Sequence, residues 1–130
     1  MNKSRIEVEG LKETTRNLKN LGVEAADLKD ASFQAGQIIT ATAKTLAPIR
    51  TGALANSTRA GKTVNGVVVK AGGNKVPYAA VIHFGHAARN IEPQPFLYDA
   101  VDARRGEVIA AYQKGLEKAI KNAGLENKTN

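Results

Sequence analysis

Hydrophobic and polar residues change rhythm several times along this chain, and each change marks an element. Arg5-Ile6-Glu7-Val8-Glu9 alternates polar and apolar residues up to Gly10, which is the two-residue period of a short, half-exposed strand. From Leu11 to Leu21 the spacing turns helical, with Leu11, Thr15, Leu18 and Leu21 on one side and Gly22 as the stop. A longer helix is predicted over residues 24–46. Its apolar positions Leu28, Ala31, Ala35, Ile38, Thr42 and Leu46 recur every three or four residues, and Pro48 lies just past its end. The many alanines leave a thin ridge that another element can approach closely. Residues 47–54 carry Pro and Gly punctuation and read as a loop.

From Ser57 to Ala71 the pattern becomes that of strands, and Asn65-Gly66 between Lys62-Thr63-Val64 and Val67-Val68-Val69 is a strong signal for a tight hairpin. Gly72-Gly73-Asn74-Lys75 marks a second turn. Tyr78 to Phe84 suits a strand or two helical turns equally well, with Gly85 ending it either way. Pro93 and Pro95 then open a final helix in which Leu97, Val101, Val108, Tyr112, Leu116, Ala119 and Ile120 recur at helical spacing up to Gly124. Asp99 and Asp102 near its start and Lys114, Lys118 and Lys121 near its end suit the helix dipole. Gly106 and Gly115 each cost about 1 kcal/mol relative to Ala, so they mark a kink or a tight contact. The expected architecture is α+β: a small antiparallel sheet with a β-hairpin packed against two long helices, plus a short N-terminal strand and helix. Residues 1–124 are expected to form a single domain and residues 125–130 a flexible tail.

Composition adjusts this picture modestly. A chain of 130 residues suits one core. With three Phe, three Tyr and no Trp, that core must be built mainly from Ala, Val, Ile and Leu. The absence of Cys excludes disulfides, thiolate catalysis and cysteine metal sites. No apolar run approaches the roughly 18 residues of a membrane span, and the first ten residues lack a signal peptide's apolar core. The expectation is a cytoplasmic protein with no membrane partner.

Charge is more informative in its placement than in its total. Residues 31–91 contain Lys44, Arg50, Arg59, Lys62, Lys70, Lys75 and Arg89 and no Asp or Glu, whereas the flanks balance, so the whole +7 comes from the middle. Within that segment no carboxylate pair for acid–base work and no carboxylate metal cage can be built. It can face an anion, or a partner that supplies the missing acids. Two readings stand side by side: a solvated face that keeps the protein soluble, and a contact surface for DNA phosphates or an acidic neighbour, with Arg59, Lys62 and Lys70 on one hairpin. No aromatic residue interrupts the basic positions between Phe33 and Tyr78, which disfavours base stacking on single strands.

Catalytic signals are weak. His83 and His86 are three residues apart, but zinc needs a third ligand and no acid lies nearby in sequence, so hydrogen-bonded surface or interface histidines are the preferred reading. Thr51, Ser57 and Thr58 lie in no nucleophile elbow, and Gly72-Gly73-Asn74-Lys75 lacks the phosphate-loop spacing. No enzymatic activity and no cofactor are expected.

Three stretches in order, Ala47-Pro48-Ile49-Arg50-Thr51-Gly52-Ala53-Leu54, Pro77-Tyr78-Ala79-Ala80-Val81-Ile82-His83-Phe84-Gly85 and Pro93-Gln94-Pro95-Phe96-Leu97 leading into a long helix, resemble the tail-component family of long-tailed double-stranded-DNA phages. Members of that family are described as head–tail joining, neck or tail-completion proteins, and the resemblance runs over residues 5–122. It implies a small α+β subunit of a homo-oligomeric ring, sixfold being one candidate closure, at the neck around the DNA channel. Implied partners are other virion neck and tail proteins, with channel DNA as a further contact. The implied location is the host cytoplasm during assembly and then the virion. On this reading Thr51, Gly52, Leu54, Tyr78, His83, Phe84, Gly85, Pro95 and Phe96 are candidate interface or motif positions, and Lys44, Arg50, Arg59, Lys62, Lys70, Lys75 and Arg89 candidate contacts to DNA or to a partner. The chain departs from the family pattern at His83, where an acidic residue is usual, and at His86, where a small or hydroxyl residue is. The expectation at these positions is an altered, pH-sensitive contact, and a glutamate-based interface bond is not carried over. The alternative reading is a basic DNA-binding module using the 57–71 hairpin.

Overall fold

The computed structural model describes residues 5–48, 52–64 and 66–124. Arg50, Thr51, the Asn65 half of the expected turn and the 125–130 tail lie outside the described residues. Three strands, β1 (Arg5–Gly10), β2 (Arg59–Ala60) and β3 (Val67–Gly72), form an antiparallel sheet in the order β1-β3-β2. The register pairs Ile6 with Ala71, and Val8 and Ala60 with Val69, so these residues share the face turned to the core. By alternation, Arg5, Glu7, Glu9, Arg59 and Lys70 share the opposite face.

The hairpin is real, but its expected turn is not. A two-residue Asn65-Gly66 turn would pair Val64 with Val67, whereas the chain pairs Arg59 with Lys70 and Ala60 with Val69 and bonds the Gly61 amide to the Val68 carbonyl at 2.9 Å. Lys62, Thr63 and Val64 therefore belong to a longer connection. A shift of two residues keeps every side chain on its own face, so hydrophobic alternation cannot detect it. Packing on the long helix decides instead: a Cβ built on Gly36 would come within 2.9 Å of the Ala60 Cβ, which leaves β2 seated directly on that glycine.

Among the described residues there are also five helices, α1 (Lys12–Asn20), α2 (Ala25–Leu46), α3 (Ala53–Ser57), α4 (Ala79–Phe84) and α5 (Phe96–Asn122), with one 3-10 turn at Ala87–Arg89. α2 buries Leu28, Ala31, Ala35, Ile39 and Ala43. The expected stripe ran on through Ile38, Thr42 and Leu46. Its second half is rotated by one residue because Gly36 meets the sheet, which turns Ile39 and Ala43 inward and leaves Leu46 exposed. In α1 only Thr15 is fully buried, while Leu11 and Leu21 are exposed. Thr15 meets the Tyr112 hydroxyl of α5 and donates to the Leu11 carbonyl at 2.8 Å.

The predicted loop at 47–54 ends inside α3, which follows Gly52 at φ +81 and buries Leu54. The Ser57 and Thr58 hydroxyls both donate to the Leu54 carbonyl, at 2.7 and 3.1 Å, and close that short helix. The ambiguous segment resolves as α4, because helical spacing buries Ala79 and His83 on one side. α5 lies against α2 at a glycine: a Cβ on Gly115 would meet the Ala31 Cβ at 2.7 Å, whereas one on Gly106 would meet nothing within 4 Å. Gly115 is thus the tight contact, and the alanine ridge of α2 is what it touches.

Candidate interaction surface

The corner between α4 and α5 brings together residues that the sequence keeps apart. Gly85 adopts φ +75, and a Cβ there would come within 2.8 Å of the Ile91 carbonyl oxygen and the Pro93 nitrogen, so only glycine lets the chain fold back so closely. His86 and Ile91 then form an isolated antiparallel bridge, and the Gln94 amide bonds the Ile82 carbonyl at 2.9 Å. The reversal delivers Pro95 to the start of α5 and packs its first turn onto α4.

Four rings meet there edge to face. The His83 ring lies 4.6 Å from Phe84, 5.4 Å from Phe96 and 4.5 Å from Tyr98, and Phe84 lies 5.9 Å from Tyr98. They form two layers. Phe96 and His83 are buried beneath, while Phe84 is 55% exposed and Tyr98 47% exposed. Tyr78, at the start of α4, is exposed as well. An aromatic pair held at fixed orientation over a packed base is the kind of anchor that carries binding energy at protein interfaces, since its side chains lose little freedom on association.

His83 corrects the expected surface histidine. It is fully buried, with neither ring nitrogen hydrogen-bonded, because α4 turns it toward Phe96. Burial pushes its pKa below the usual histidine value, and Asp99 pulls weakly the other way. The neutral imidazole therefore serves as a second ring beside Phe96 in the support layer. His86 is exposed. Among the described residues no group of three His, Cys, Asp or Glu stands close enough to hold a metal ion.

The described basic residues lie on several separate elements. Lys44 lies in the last turn of α2, Lys75 in the turn after β3 and Arg89 in the 3-10 turn. Arg59 and Lys70 face each other across β2 and β3, and Lys62 sits 4.9 Å from the centre of the Phe33 ring. The outer sheet face is not acid-free. Pairing with β1 sets Glu7 3.4 Å from Lys70 and places Glu9 in the same recess as Lys62 and Lys70. Burial pushes the Glu7 carboxyl up, but hydrogen bonds to Glu9 and Lys70 and the charges of Lys70 and Arg5 outweigh it and hold it below the usual value. Arg59 is turned to backbone, donating to the carbonyls of Ser57 at 2.6 Å and Gly72 at 3.1 Å.

Comparison with known protein families, characterised proteins and solved structures returns no match. Among the described residues no helix is long and apolar enough to cross a membrane.

Of the candidate motif positions, Tyr78, His83, Phe84, Gly85, Pro95 and Phe96 gather at the α4–α5 corner. Gly52 and Leu54 lie apart, on α3. Sequence reasoning missed Tyr98, which falls beside the buried Leu97 rather than on the α5 core stripe. A lone aromatic off the apolar face of a helix was the available signal. It also missed an apolar groove of about 260 Å³ between β1 and α5, lined by Val8, Leu11, Ile39, Val101, Val108 and Ile109 with Glu9 and Arg105 at its rim.

Proposed function

We propose that this chain is a structural subunit of a phage or prophage virion, joining head to tail or completing the tail at the neck, and that it acts by protein–protein contacts within a ring around the DNA channel. The observation that carries this reading is the exposed Phe84–Tyr98 pair, clamped over buried His83 and Phe96. Phe84 and its support Phe96 come from the Phe84-Gly85 and Pro95-Phe96 motifs, two of the three ordered stretches that resemble the tail-component family, and Tyr98 follows directly after the second. A ring subunit needs a rigid patch that a neighbour can cover, and this corner supplies one. The reading calls for no reaction and no cofactor.

DNA binding through the 57–71 hairpin is the weaker alternative. Glu7 and Glu9 sit among Lys62 and Lys70 and offset the positive field that phosphates would require. Gene order tests the proposal first: portal and capsid genes on one side with tail-tube and tape-measure genes on the other are expected. Deletion in the phage or prophage carrying the gene should yield unjoined heads and tails by electron microscopy. Infectious, fully joined particles from the deletion would refute it.

A further inference from the structure

Helix α5 carries a second pattern that the core does not use. Tyr98, Asp102, Arg105 and Ile109 are spaced four, three and four residues apart, so they form one stripe along the helix. All four are exposed, Tyr98 at 47% and Ile109 at 43%. Phe84 flanks the stripe at its Tyr98 end, and the apolar groove with Leu11 flanks it at its Ile109 end. Its two middle residues are of opposite charge and pair within the helix, the Arg105 guanidinium lying 2.8 Å from Asp102.

The spacing reads the same in both directions. The midpoint between Tyr98 and Ile109 is also the midpoint between Asp102 and Arg105. A second copy of α5 laid antiparallel across that point therefore sets Tyr98 against Ile109 of the other copy and Asp102 against its Arg105, each contact made twice. Such reciprocity is what a two-fold interface demands. In that arrangement each copy's Tyr98 lies on the other copy's Ile109, at the edge of its apolar groove, and the charges complement one another at the centre. A parallel arrangement would oppose Asp102 to Asp102 and Arg105 to Arg105.

We propose that the free chain forms a two-fold dimer through the exposed α5 stripe, with a second copy of itself as the partner. The inference rests on the α5 stripe and what flanks it and does not depend on a place in a virion, so the two readings fail separately. In the dimer Tyr98 is covered, and the subunit must separate before a different protein engages the Phe84–Tyr98 corner.

Two measurements test the proposal on the full chain. Sedimentation equilibrium should give twice the 13.8 kDa mass of one chain, with a return toward one chain's mass in Ile109→Glu and in Asp102→Arg. Combining Asp102→Arg with Arg105→Asp should restore the dimer. The second measurement uses the absence of native cysteine. Tyr98→Cys and Ile109→Cys variants, mixed and mildly oxidised, should form a disulfide-linked dimer. Neither should do so alone, because like positions then lie about 16 Å apart along the helix axis. A chain that stays monomeric at every concentration and gives no cross-link in the mixture overturns the proposal. Cross-linking of Tyr98→Cys with itself, or a dimer that survives Ile109→Glu, overturns the antiparallel geometry on which the proposal stands.

Discussion

The same substitution, glycine to alanine, should have opposite signs at two positions of one helix. Gly106 and Gly115 both lie inside α5, and replacing either by Ala removes the backbone freedom that makes glycine a poor helix former, a gain of about 0.8–1 kcal/mol at each. At Gly106 the new methyl group meets nothing within 4 Å, so the gain stands alone. At Gly115 it would lie 2.7 Å from the Ala31 Cβ and 3.0 Å from the Ala31 Cα. Neither neighbour is the end of a flexible side chain that can swing away. Two helix backbones must move apart, and overpacking of this kind costs about 1–3 kcal/mol. The net expectation is a gain of about 1 kcal/mol for Gly106→Ala and a loss of about 1 kcal/mol for Gly115→Ala. Gly115→Val should lose more. Urea unfolding at low protein concentration reads both as shifts of midpoint at constant slope. If Gly115→Ala were as stabilising as Gly106→Ala, the close packing of α5 on α2 would be wrong, and with it the account of why α2 carries an alanine ridge.

Two further outcomes follow from buried polar groups. Burial holds His83 below the usual histidine pKa despite the weaker pull of Asp99, so the unfolded chain takes up the proton first as pH falls. Stability is then full above the usual value of about 6.5 and declines as pH drops through it. His83→Phe should flatten this slope in urea midpoints measured across that range, and an unchanged slope would assign it elsewhere. Tyr112→Phe removes the hydroxyl that joins α5 to Thr15 of α1 and should cost about 1 kcal/mol. A Tyr112→Phe protein as stable as the parent would mean that the α1–α5 contact is held by packing alone.

Much of the architecture was legible because its signals are periodic. The alternation of Arg5 to Glu9 and the helical spacing through α2 and α5 each name an element without reference to the rest of the chain. What escaped was set by distant contacts. The hairpin register depends on Ala60 meeting Gly36, and a two-residue slip leaves the local pattern unchanged. Leu46 looks like the end of a buried stripe until the sheet rotates that stripe toward Ile39 and Ala43. The carboxylate-free middle segment acquires Glu7 and Glu9 because β1 pairs with β3, nearly half the chain away. His83 sits in a run that suits strand or helix equally, and only the helical choice sends it under Phe84 and Tyr98. The motif residues of the aromatic corner could be named from sequence. Their division into a buried base and an exposed pair could not.

The central claim is that the exposed aromatic corner, rather than the basic residues of the sheet face, makes this protein's working contacts. Particle counts from a phage or prophage carrying single-site variants test it most directly. Phe84→Ser, at a position 55% exposed, should leave the subunit folded and soluble while heads and tails accumulate unjoined. A Lys62→Gln and Lys70→Gln double variant should give normal particles. Normal particles from Phe84→Ser, with failure confined to the lysine variant, would contradict the claim.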